Sequence, residues 1–144
     1  MLQRSIAIAR AMGLGPTLLL PWIAACGASE MTSVNSAEFG LAAGPLDVQL
    51  QLTSDWTAGY CAEVRLTNRG ASAISGWKVD LDLRQSTTNN VWNGTFTSTG
   101  PSTRQVTSVG FNDLIAPASA VSFGFCANAT GANYRPLLLG ATCA

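Results

Sequence analysis

The chain has 144 residues, a formal net charge of zero, only 11% charged residues and no histidine. That balance excludes the basic footprint of a nucleic-acid binder and the acidic tail of a solvating protein. It also excludes Ser-His-Asp and Cys-His catalysis, and the commonest metal ligand is missing. Cys26, Cys61, Cys126 and Cys143 form no CxxC pair, so neither a zinc site nor any other metal site or cofactor is expected.

Residues 1–26 read as a signal peptide. Arg4 and Arg10 stand in a stretch without acids, and the apolar run "AMGLGPTLLLPWIAA" that follows is short for a membrane span and broken by Pro16 and Pro21. Its end, Ile23-Ala24-Ala25-Cys26, resembles a bacterial lipobox, which implies lipidation of Cys26; ordinary secretion is the alternative. Either route leads to an oxidising compartment, extracellular or at the cell surface. Residues 27–45, "GASEMTSVNSAEFGLAAGP", keep no period of 2 or 3.6 and read as a flexible tether.

From residue 46 the pattern becomes that of short strands. "LDVQLQL" alternates over Leu46, Val48, Leu50 and Leu52, and "YCAEVRLT" over Tyr60, Ala62, Val64 and Leu66. "WKVDLDLR" turns Trp77, Val79, Leu81 and Leu83 one way and Lys78, Asp80, Asp82 and Arg84 the other, as a strand does and a helix would not. After a polar loop, "QSTTNN", come "VWNGTFTST", "RQVTSVGF", "AVSFGFCANA" and "PLLLGATC". Seven such segments with Gly, Asn, Pro and Ser turns predict an all-β fold. The expected architecture is a single antiparallel two-sheet β-sandwich, immunoglobulin-like or jelly-roll-like, over residues 46–144.

The same alternation turns Cys61 and Cys126 outward, where they could bridge neighbouring strands of one sheet. Closing a loop of about 65 residues would contribute roughly 4 kcal/mol; the alternative is two unpaired surface thiols. With Cys26 lipidated, Cys143 would be a free thiol or an intermolecular contact. Without lipidation, the tether is long enough for Cys26 to reach Cys143.

Trp77 shares the inward face of its strand and reads as core. Trp56, between Asp55 and Thr57, and Trp92, in "NNVWNGT", sit among turn formers; if Val91 faces the core, Trp92 faces out. Phe111 adjoins the turn formers Asn112 and Asp113. Each ring could fold down over its own loop. Three large rings at loop-flanked positions of one small sandwich favour a shared surface patch, which monomers rarely keep without a use. Rings rimmed by Asn, Gln, Thr and Ser suit the apolar face of a pyranose. Single-stranded nucleic acid also stacks on rings but needs a cationic groove, and this chain has eight Lys and Arg in total.

Between residues 46 and 143, "DWTAGY", "RLTNRGASAISGWKVDLDL", "VWNGTFTSTG", "NDLIAPASAVSFGF" and "LLLGATC" resemble the family 2 carbohydrate-binding modules of bacterial cellulases and xylanases. The resemblance implies a β-sandwich whose three exposed aromatics form a flat platform for cellulose, at Trp56, Trp92 and Phe111, with Trp77 as the buried tryptophan. Phe111 stands where the family usually has Trp, which implies weaker stacking. Xylan-preferring members carry Arg where this chain has Gly59, which favours the flat, cellulose-type arrangement. The family's usual terminal disulfide would need a cysteine at Asp47. The pair Cys61 and Cys126 resembles a variant seen in some members.

The expected function is therefore non-catalytic binding of cellulose or a related β-glucan by a monomer, with the membrane involved only through an N-terminal lipid. One alternative is a cell-envelope adhesion or scaffold sandwich that binds no sugar. A glycoside hydrolase is another, but it needs two carboxylates across a cleft. Asp80 and Asp82, the nearest pair, read as a solvated strand face beside Lys78 and Arg84, so no catalytic residue is expected.

Overall fold

In a computed structural model, which describes residues 30–34 and 38–143, the alternating segments pair into antiparallel sheets. The strands are β1 (Glu30–Val34), β2 (Glu38–Ala43), β3 (Leu46–Asp55), β4 (Gly59–Asn68), β5 (Ile74–Ser75), β6 (Trp77–Asp82), β7 (Ser86–Trp92), β8 (Thr95–Ser98), β9 (Thr103–Thr107), β10 (Leu114–Ile115), β11 (Ala120–Ala129) and β12 (Leu137–Cys143). One sheet runs β1-β2-β3-β4-β11-β7 and the other β12-β6-β9-β8, with β5 and β10 as a short separate pair. The expected signal segment and Cys26 lie outside the described residues.

Period-2 patterning produces this architecture because each strand has one apolar face to bury. Leu46, Val48, Leu50, Tyr60, Ala62, Val64, Leu66, Phe123 and Phe125 bury the inner face of the larger sheet, and Trp77, Val79, Leu81 and Val106 that of the smaller one. The faces meet where Trp77 stacks on Phe123, with ring centroids 5.3 Å apart and planes 12° from parallel. Phe96 meets both Phe123 and Phe125 edge-on. Polar groups taken into the core are matched. The Tyr60 hydroxyl bonds to Ser86 Oγ at 2.9 Å, and Ser86 Oγ donates to Leu83 O. The buried Asn68 donates to Ser72 O and Ile115 O and accepts from Gly70 N.

The structure differs from the sequence expectation in three places. The segment read as a tether contains β1 and β2, and β2 pairs with β3 from Glu38↔Gln51 to Ala43↔Leu46, so the larger sheet begins before residue 46. The segment read as a polar loop is most of β7: as an edge strand it pairs on one side only, with β11, and its side chains can stay wet. Val91 is exposed like Trp92, although its partner across the β7–β11 register is the buried Phe125.

Cys61 and Cys126 stand directly opposite in the β4–β11 register and are joined by a disulfide, with Cα atoms 4.0 Å apart. Cys143, at the end of β12, is disulfide-bonded too, so the free-thiol alternative for that residue does not hold.

Candidate carbohydrate-binding face

Two of the expected platform rings lie on the outer face of the larger sheet, each over a glycine. Trp92 closes β7 and pairs with Gly124 of β11. A Cβ built on Gly124 would stand 2.8 Å from Trp92 Nε1 and closer still to Cζ2 and Cε2. Trp56, on the β3–β4 turn, is seated over Gly59 in the same way: a Cβ there would be 2.9 Å from Cζ2 and 3.1 Å from Cε2. Neither glycine has a positive φ, so close approach, not backbone conformation, distinguishes these positions: at Gly124 of the indole, and at Gly59 of the Ala127 carbonyl, which a Cβ would meet at 2.6 Å, together with the indole. Both glycines share the outward parity of Cys61 and Cys126, and their rows flank the disulfide: Gly59↔Asn128, Cys61↔Cys126, Glu63↔Gly124. Rows four residues apart are about 13 Å apart along the strands. Each ring thus has one face on the sheet and much of the rest in solvent, with exposures of 48% for Trp56 and 38% for Trp92.

Both turns are held in unusual backbone conformations. Thr57, after Trp56, has φ 65°, and Asn93, after Trp92, has φ 59°. Asn tolerates this region, whereas a β-branched residue seldom enters it. Around Trp56, its own amide donates to Gly59 O at 3.0 Å and Ala58 N donates to Trp56 O at 2.8 Å.

Phe111 lies in a short 3-10 turn, Gly110–Asn112, and is 76% exposed. Asn112, buried beneath it, ties this turn to its surroundings. Its side-chain nitrogen donates to Asn93 O at 2.7 Å, its side-chain oxygen accepts from Val109 N, and its carbonyl accepts from Trp77 Nε1 at 2.9 Å. The turn bearing Phe111 is therefore pinned both to the Trp92 turn and to the buried Trp77. Leu114, 62% exposed, adds an apolar side chain three residues on that sequence reasoning missed; only its parity against the buried Ile115 signalled it.

The remaining polar groups fit binding better than chemistry. Asp80 accepts from Gln105 Nε2 at 3.1 Å and Asp82 from Arg84 N at 2.8 Å, on the other sheet from the two tryptophans. A polar depression lined by Gln49, Gln51, Glu63 and Arg65 lies on the face that carries Trp56 and Trp92. Among the described residues no three Cys, Asp or Glu side chains converge as a metal site.

Comparison with known proteins agrees with this architecture. The chain is 37% identical over 94 residues to exoglucanase B of Cellulomonas fimi, covering 62% of this chain and 8% of that enzyme. It is 31% identical over 136 residues to chitinase C of Streptomyces lividans, covering 93% of this chain and 20% of that one. It spans less than a fifth of the length of endo-1,4-beta-xylanase A of Cellvibrio japonicus, to which it is 33% identical over 104 residues, 72% of this chain. Among solved structures it superposes on the cellulose-binding family 2 carbohydrate-binding domain from ScLPMO10C with a TM-score of 0.56 at 25% identity, covering 76% of this chain and all of that one. The chitin-binding domain of Chi18aC from Streptomyces coelicolor gives 0.52 at 29% identity, covering 68% and 93%. Residues 46–143 match the family described as "Cellulose binding domain", and the chain belongs to that family of non-catalytic carbohydrate-binding modules.

Proposed function

We propose that this module holds cellulose or a related β-glucan against the outer face of its larger sheet, with pyranose faces stacked on Trp56, Trp92 and Phe111. The observation that carries the reading is the seating of two indoles over glycines on one face, each with its far side open. Stacking removes poorly bound water from ring and sugar alike. Hydroxyls at the sugar's rim would meet the Asn, Gln and Thr side chains around the rings. Gly59 leaves Trp56 lying on the sheet, which favours a flat ligand surface over a twisted xylan chain. A chitin surface is the second reading, favoured by the Chi18aC neighbour and by the likeness to chitinase C.

Depletion from suspensions of microcrystalline cellulose, chitin and insoluble xylan tests these readings together. Cellulose retention is expected to exceed the other two and to vanish in the double variant Trp56→Ala, Trp92→Ala. No retention of the wild-type chain on any of the three would leave an adhesion or scaffold role, and retention that survives both substitutions would place binding away from the two tryptophans. Release of reducing sugar from soluble cellulose would require the chain to be a hydrolase.

The reading places the module outside the cytoplasm, either as a monomer without lipid on Cys26 or, since Cys143 is disulfide-bonded, lipidated and joined through Cys143 to a second chain. A thioether at Cys26 would make that sulfur unavailable to any disulfide. Intact mass before and after reduction therefore tests the anchor: a lipid mass increment supports it, and its absence rejects it.

A further inference from the structure

Trp56 stands on a turn whose geometry has to be enforced, since Thr57 occupies the left-handed region at φ 65°. Such a conformation persists where its surroundings over-determine it. Asp55 does much of that here. Its Oδ1 accepts from Thr57 N at 3.1 Å and from the Tyr134 hydroxyl at 2.8 Å. Its Oδ2 accepts from Arg135 Nε at 3.1 Å and pairs with the terminal nitrogen at 2.9 Å. Tyr134 stacks on Tyr60, and Ala129 N donates to Ala58 O at 2.9 Å. One carboxylate thus joins the Trp56 turn to a connection 79 and 80 residues further along the chain.

We propose that Asp55 is the positioning residue of Trp56: gripped by Tyr134 and Arg135, it locks the strained turn so that the indole stays over Gly59 and offers a polysaccharide one fixed face. The proposal rests on the reading of Trp56 as part of a sugar platform, and Asp55 itself does not need to touch the glycan. An exposed ion pair contributes little to stability. Its value here is preorganisation, because a ring that must be ordered on binding weakens affinity by about two- to tenfold.

The lock is acid-sensitive. The Tyr134 hydrogen bond first, then the Thr57 amide and the Arg135 contacts, hold the Asp55 carboxyl below its ordinary value. Tyr134 and Arg135, which face it from the connection between β11 and β12, are both shifted upward, so neither titrates in acid. A carboxylate with a lowered pKa holds its partners above the ordinary carboxylate range. It releases them as the pH falls through the lowered value.

The test follows the Trp56 indole N–H resonance, assigned by its loss in Trp56→Phe, from neutral to strongly acid pH, together with depletion from microcrystalline cellulose. The resonance should move with a midpoint below the ordinary aspartate range, and that transition should be missing from Asp55→Asn. At neutral pH, Asp55→Ala should broaden the resonance and weaken binding about two- to tenfold. Asp55→Asn, which keeps an acceptor for Thr57 and Tyr134, should fall between. A resonance indifferent to pH, or Asp55→Ala with wild-type resonance and affinity, overturns the proposal. If Asp55→Ala does not fold, Arg135→Gln and Tyr134→Phe carry the test, each expected to reproduce part of the loss. A wild-type resonance that titrates as expected in a protein that ignores cellulose supports the lock and overturns only the platform reading.

Discussion

Substituting Gly124 by Ala isolates the seat of Trp92 from everything else in the fold. The new Cβ would stand 2.8 Å from Trp92 Nε1 and overlap the neighbouring ring carbons, while the backbone of Gly124, which has no positive φ, accepts an alanine. The conflict falls on a ring that is 38% exposed and free to swing outward, so overpacking should cost less than the 1–3 kcal/mol typical of a closed core. What changes is the plane the indole presents. With roughly 250 Å² of side chain, the open part of Trp92 is about 100 Å², and covering it with a sugar is worth about 2.5 kcal/mol at most. Tilting the ring out of a flat surface should forfeit about half of that, close to a tenfold loss in affinity. Depletion isotherms on microcrystalline cellulose measure the loss, and calorimetric unfolding provides the control. An unchanged isotherm would refute the seating argument. So would a loss of binding that simply tracks a collapse in melting temperature, since Gly124 would then be structural only.

Three further outcomes are expected. Replacing Cys61 and Cys126 together by Ser removes the closure of a 65-residue separation and should lower stability by about 4 kcal/mol in denaturant melts; a loss well under 1 kcal/mol would rule out the chain-entropy account. Burial pushes the Tyr60 hydroxyl up to about 12, which its bond to Ser86 only partly opposes. A pKa raised on folding stabilises fully below the unfolded value near 10 and is lost as pH climbs through 12, so alkaline melts should fall across that window in wild type and less steeply in Tyr60→Phe, where Tyr134 still carries an upward shift. Phe111→Trp enlarges a ring that is already 76% exposed and should tighten cellulose binding about three- to fivefold, read from the same isotherms; no change would place Phe111 outside the contact.

These predictions differ in how far the sequence alone could have led to them. The inner faces of β3, β4, β6 and β11 were legible because period 2 leaves a strand only one apolar face, and Trp77 fell on such a face. The disulfide was legible for the same reason: outward parity on two strands that turn out to be neighbours puts Cys61 opposite Cys126. Edge strands escape this logic, since β7 pairs on one side and carries Thr and Asn that a loop would carry equally well. β1 escapes it because "EMTSV" does not alternate, and β2 because in "EFGLAA" only Phe39 and Leu41 alternate as large apolar residues, among small ones. The site shows the sharpest contrast. That Trp56 and Trp92 are open follows from their turn-forming neighbours, but what they rest on does not. Gly124 is 32 residues from Trp92 and reads as an unremarkable strand glycine until β7 and β11 are paired. Arg135 is 80 residues from Asp55 and reads as a lone surface charge. A ring becomes a binding surface only when something holds it flat, and the holding groups come from strands and connections whose adjacency exists only in the folded sheet.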